Sequence, residues 1–207
     1  MSHKCLGSRI AIKTRIMVRS ISFLSCLLFA LLLQGQNPNS KAWQIKTALM
    51  AVPSAYQEGA KIYGYDDNGK FTVLREGNND YIALANDPNS KKFSTAAYHK
   101  SLEPFMARGR ELRSEGKDFQ EVFDIREAEV KAGKLTMPDK TTLYVFTGTV
   151  NSDSGAIENP YLRAVFYLPY ATGASTGLPT TPMPPGQPWL MDAGTHRAHI
   201  MISPPKN

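Results

Sequence analysis

Residues 141–170 read TTLYVFTGTV, NSDSGAIENP, YLRAVFYLPY, two apolar runs on either side of a polar stretch. Thr141 to Val150 is apolar at odd and even positions alike. A strand with two apolar faces belongs inside a sheet rather than at its margin. Asn151 to Pro160 is a polar loop, and Tyr161 to Tyr170 is a second strand of the same kind, interrupted by Arg163. A guanidinium in so apolar a strand needs a partner, a ligand or an edge position, because an unpaired buried charge is too costly.

Working outward from this pair, the residues before it form two helices. Ser101 precedes Leu102, Phe105, Met106 and Leu112 at helical spacing, with Gly116 as the stop. Asp118 and Glu121 make a capping-box pattern ahead of Phe119, Val122, Phe123 and Val130, and Gly133 ends that helix. Their charges alternate in sign, among them Arg108, Arg110, Glu111, Arg113, Arg126, Glu127, Glu129 and Lys131, the pattern of a solvated helix face. Further upstream, Lys61 to Tyr65 and Lys70 to Arg75 flank Asp66-Asp67-Asn68-Gly69, a tight-turn hairpin signal. Gly77 to Asp80 then turns into Tyr81 to Ala85, which suggests a three-stranded meander. The acids at the hairpin tip do not make a calcium loop, because the twelfth position from Asp66 is Gly77. Lys41 to Ala51, capped by Ser40 and ended by Pro53, fits a brief helix or a flexible spacer.

Downstream, Ala171 to Pro188 is a Gly-, Thr- and Pro-rich arm of 18 residues, longer than most loops in compact domains. Trp189 and the Asp192-Ala193-Gly194-Thr195 turn follow, and Arg197 to Ile202 closes the chain as a short strand.

The first residues give an expectation of address. Residues 1–35 contain Lys4, Arg9, Lys13, Arg15 and Arg19, no acid, and an apolar run from Ile21 to Leu33. That is the layout of a secretory signal peptide cleaved near Gly35, with Met17 as an alternative start. Acylation of Cys26, as in a lipoprotein, or a retained anchor are the minor alternatives. The apolar run is shorter than the roughly 20 residues of a membrane span. The chain has 24 basic and 18 acidic residues, a net +6, of which the leader supplies +5. The remainder is close to neutral, so bulk charge gives no support for nucleic-acid binding. The two cysteines, Cys5 and Cys26, also lie in the leader, which makes the mature domain cysteine-free and without thiol chemistry or disulfides.

Three motifs bear on chemistry. Gly173-Ala174-Ser175-Thr176-Gly177 matches the G-x-S-x-G pattern of serine hydrolases, but that mechanism needs a helix after the serine. Leu178-Pro179-Thr180-Thr181-Pro182-Met183-Pro184-Pro185 cannot supply one. His196 and His199 are spaced as ligands only if helical; in a strand they face opposite ways, and a hydrogen-bonded structural His199 is the simpler reading. Asp192 most simply orders its turn. The functional alternative joins Arg163 as anion clamp, Trp189 as apolar wall, Asp192 as acceptor or base, and His196 and His199 as donors, converging on one pocket.

Pro185-Gly186-Gln187-Pro188-Trp189-Leu190-Met191, Ala193-Gly194-Thr195 and Ala198-His199-Ile200-Met201-Ile202 resemble the C-terminal signature of a family of uncharacterised exported bacterial proteins. Asn68 to Gly77 resembles that family's β-hairpin, and Met106 to Thr149 is similar in outline. The chain departs from it in lacking the family's common cysteines and in having His196-Arg197 where a Pro-Tyr pair is usual. The resemblance implies export and a single domain and names no reaction.

Together these readings predict a signal peptide over 1–35, a linker over 36–40, one α+β domain over 41–203 and a tail over 204–207. The domain is expected to be an antiparallel sheet of five or six strands with two helices on one face and the Pro-rich arm across an edge. The expected location is periplasmic or secreted, with no membrane span after signal removal. The expected function is non-enzymatic binding of a small ligand or an envelope protein, without a cofactor or metal. The alternative is a hydrolase-like or metal-assisted enzyme using Asp192 and His199.

Overall fold

The computed structural model describes residues 40–205; the expected signal peptide and most of the linker lie outside the described residues. A single eight-stranded sheet runs through the domain in the order β2-β1-β3-β4-β5-β6-β8-β7. The strands are β1 (Lys61–Tyr65), β2 (Phe71–Arg75), β3 (Tyr81–Leu84), β4 (Phe93–His99), β5 (Thr141–Val150), β6 (Ile157–Tyr167), β7 (Trp189–Met191) and β8 (His199–Ile202). The helices are α1 (Lys41–Ala48, extended by a 3-10 turn over Leu49–Ala51), α2 (Glu103–Ser114), α3 (Phe119–Lys131) and the single turn α4 (Gly173–Thr176).

The fold class is α+β, but eight strands replace the expected five or six. The two additional strands have physical reasons to be hidden. β4 is FSTAAYH, small and polar residues without an aliphatic run. It nevertheless sits between β3 and β5, with Ala97 fully buried in the core. β7 has only three residues and is a strand because β8 pairs with it.

The meander also needs correction. β1 and β2 form the expected antiparallel hairpin, whereas β3 lies parallel to β1 on its other side. The backbone N–H groups of Asn78 and Asn79 both donate to the Gly59 carbonyl, at 2.9 and 3.1 Å. They carry the chain around the start of β1, past a point where a side chain at Gly77 would meet Lys61 and Gly59 backbone atoms.

Alternation along the strands creates two cores. On one face Trp43, Ile62, Ala83, Phe93, Ala97 and Phe146 pack with α1. On the other, Ile82, Tyr98, Leu143, Val165, Tyr167 and Met201 meet Leu102 and Phe105 at the start of α2. The start of α2 therefore meets one face, α3 packs on α2 and on the C-terminal turn, and α1 covers the opposite face. Trp43 anchors it: the indole N–H donates to the Gly155 carbonyl at 2.8 Å, and the ring meets Phe93 edge-on at 5.7 Å. Asp118 and Glu121 form the capping box at α3 that the sequence announces.

Candidate functional site

Two regions contain the candidate residues. The first follows from the length of β5 and β6, which pair along nearly their whole extent, while the helix-side core involves only their Leu143, Val145, Val165 and Tyr167 end. At the far end lies an open groove of about 1550 Å³. Register places Ser94 opposite Thr147, Thr147 opposite Tyr161 and Val145 opposite Arg163, so these side chains share one face. Lys91 and Lys92, in the loop before β4, and Pro204 and Pro205, after β8, complete its margins.

The electrostatics of this groove are one-sided. Among the described residues, Lys91, Lys92 and Arg163 line it, and no Asp or Glu does. Nearby Asp87 accepts from the Asn89 backbone at 2.8 Å, and Glu158 accepts from the Asn151 amide at 2.7 Å. Arg163 is half-buried, and its Nε is buried with no hydrogen-bond partner. The wall is irregular: the β5–β6 register shifts between Thr147 and Thr149, and Asn159 adopts φ +49°. A side chain at Gly148 would run into Ile157 and, at 2.8 Å, the Glu158 carbonyl. Bulges of this kind re-aim side chains beside binding surfaces.

The second region is the C-terminal turn under α3. His196 is wholly buried, between the rings of Phe105 at 5.4 Å and Phe123 at 4.8 Å. Its backbone N–H donates to a Glu127 carboxylate oxygen at 2.8 Å, and its Nδ1 meets the same oxygen. Lys131 approaches the other oxygen at 2.8 Å. Burial pushes the Glu127 carboxyl up, but Lys131 and the two His196 contacts outweigh it and hold it below the usual carboxylate range. Burial lowers the His196 pKa despite the opposing pull of Glu127. The pair is therefore a carboxylate accepting from a neutral imidazole, and the His196 Nε2 has no partner.

Arg126 lies beside this pair, buried, with its guanidinium 3.9 Å from the Phe105 ring centroid and Nη1 donating to the Phe105 carbonyl at 3.2 Å. Burial first, and then Arg197, pull its pKa down to about 10. Gly109 makes room for it, since a Cβ there would come within 2.8 Å of Nη1. Arg197 faces Asp192 at 3.5 Å and lies over the Phe119 and Phe123 rings.

No family model, no curated protein and no solved structure matches the chain. Geometry alone therefore assigns the candidates.

The expected convergence of five residues is not found. Arg163 lines the groove, and Trp189, Asp192, His196 and His199 do not. His199 is buried, with Nδ1 directed at the Arg197 carbonyl at 2.6 Å, and burial lowers its pKa. Trp189 packs half-buried against the helix-side core. Asp192 does shape its turn, but through its main chain: it adopts φ +54°, and its carbonyl accepts from the Thr195 N–H and hydroxyl. The Ser175 hydroxyl is engaged with Thr172 in the capping box of α4.

Arg126 and Glu127 correct the reading of α3 as a solvated face. Arg126 follows Val122 by four positions and so shares its buried face; Glu127 follows Phe123 in the same way. That spacing was the available signal. Lys91 and Lys92 had none, because only the fold brings them beside Arg163.

Proposed function

We propose that the chain is an exported, envelope-associated binding domain that acts without catalysing a reaction, and that its recognition surface is the groove around Arg163. One observation carries the reading: a half-buried guanidinium, without an acidic partner among the described residues, faces a groove whose other charges are also positive. Its planar fork suits carboxylate or phosphate, and a bound anion would give the buried Nε the acceptor it lacks. The C-terminal signature then belongs to the packing of the fold, since His196 and His199 are committed to Glu127 and to backbone. Membership of the exported bacterial family and a periplasmic or secreted location belong to the same proposal. The alternative, an enzyme built on Asp192 and His199, is less well supported because those side chains meet Arg197 and the Arg197 carbonyl instead of a shared concavity.

The test is a thermal-shift panel on the full chain with anionic oligomers (a polyuronate, an acidic peptide, polyphosphate) and their neutral counterparts. The reading expects at least one anionic probe to stabilise the protein by mass action and Arg163→Gln to remove that gain. Equal shifts in wild type and Arg163→Gln would overturn it. Location is checked separately, by sequencing the N-terminus of protein recovered from the periplasm or medium, which should begin near Gln36.

A further inference from the structure

Resting on the reading of the Arg163 groove as the recognition surface, we infer that its ligand is an acidic oligosaccharide, a short chain of sugars bearing carboxylates. Size comes first. Small-molecule sites occupy roughly 300–1,000 Å³, and this groove, at about 1550 Å³ and open, suits an oligomer of several units. Charge comes second: among the described residues three cations and no acid line it, enough to engage more than one carboxylate along a chain, with Arg163 able to take one in bidentate fashion.

The rest of the lining separates a sugar from a peptide. Ser94, Thr147 and Thr149 present hydroxyls, Asn159 presents an amide, and Tyr161 contributes a ring. Hydroxyls and amides both donate and accept, as a polyol requires, and an aromatic face suits the apolar face of a sugar ring. A peptide in extended form would instead add to a strand edge through main-chain hydrogen bonds. The only stretch of β6 without a strand on that side is the part before Ala164, where β8 pairing ends. That stretch contains Pro160, which has no N–H to donate. The Tyr161 hydroxyl also donates to the Pro204 carbonyl at 3.0 Å, bringing the Pro204-Pro205 segment alongside.

The experiment is isothermal titration of the full chain with a galacturonate tetramer, a neutral glucose tetramer of the same length and a glutamate tetrapeptide, at low and at physiological salt. The galacturonate tetramer should bind, more weakly as salt screens the charges, and the neutral tetramer should not. Arg163→Gln should weaken binding at least tenfold and Lys92→Gln, an exposed position that leaves the fold untouched, several-fold. Tight binding of the tetrapeptide with the same Arg163 dependence, and none of the uronate, would overturn the sugar and leave the groove standing. Uronate binding indifferent to both substitutions would overturn the groove along with the sugar. No binding of the uronate at millimolar concentration would also refute the inference, and the wider anionic panel would then decide the groove by itself.

Discussion

Replacing Glu127 by Ala should be among the most damaging single changes on the outside of α3. The Glu127 oxygen facing the turn accepts from the His196 backbone N–H and from Nδ1. Both donors belong to a residue with no solvent exposure, so water cannot replace the lost acceptor. Leaving a buried donor unpaired costs about 1–3 kcal/mol, so two donors give about 2–6 kcal/mol. The Lys131 contact adds little, because that ammonium is largely exposed. Glu127→Gln keeps an acceptor of the same shape and should cost only about 1 kcal/mol, the difference between a charged and a neutral acceptor. Urea unfolding of the three proteins measures this directly. The same pair has a pH signature. His196 titrates below its ordinary 6.5 because it is buried, so between that value and its folded pKa the unfolded chain binds more protons than the folded one. Glu127, held low, acts in the same direction at lower pH. Stability should therefore fall as pH drops below about 6.5, and His196→Phe should flatten the upper part of that fall, leaving what His199 contributes in the same sense. A Glu127→Ala loss under about 0.5 kcal/mol, or a pH profile unchanged in His196→Phe, would refute the reasoning.

Two further outcomes follow from packing. Gly109→Ala should destabilise by about 1–3 kcal/mol through overpacking against the Arg126 guanidinium, and should cost much less in an Arg126→Met background, where a flexible apolar side chain replaces the unpaired charge; equal costs in the two backgrounds would show that the guanidinium is not what fills the space. Trp43→Ala should cost about 3–5 kcal/mol, the range for deleting a large buried aromatic, because its ring roofs Phe93 and its N–H holds the Gly155 carbonyl; a loss below about 1 kcal/mol in chemical denaturation would mean that α1 is not an integral cover of the sheet.

How much of this was legible depended on where each signal was carried. The first long apolar strand, the capped helix pair and the first hairpin are local patterns present with nearly their expected bounds, whereas the second strand starts at Ile157, inside the expected loop, and ends at Tyr167 instead of Tyr170. β4 was hidden because its position is set by neighbours on both sides and its Ala-rich sequence satisfies them through smallness instead of hydrophobicity. The crossing of β3 to the far side of β1 depends on two asparagines reaching one carbonyl, which no periodicity announces. For the site, Arg163 was visible as an anomaly within its strand. Its surroundings were not, because Lys91 and Lys92 are distant in sequence; His199, by contrast, has its ring at the Arg197 carbonyl, as the structural reading of it expects. At Glu127, charge alternation along the helix masks the four-residue spacing from Phe123.

The Trp43–Gly155 clasp also bears on the order of assembly. Most strand neighbours in this sheet are close in sequence, whereas this bond closes a loop of 112 residues, and Glu127 to His196 closes one of 69. Closure of long loops is entropically slow to reward. The β5–β6 hairpin can form early, while α1 has nothing to grip until the Gly155 turn exists. The two clasps thus act as late fasteners: cutting either should leave the folding rate almost untouched and quicken unfolding, so that they govern how long the native protein lasts rather than how fast it is made.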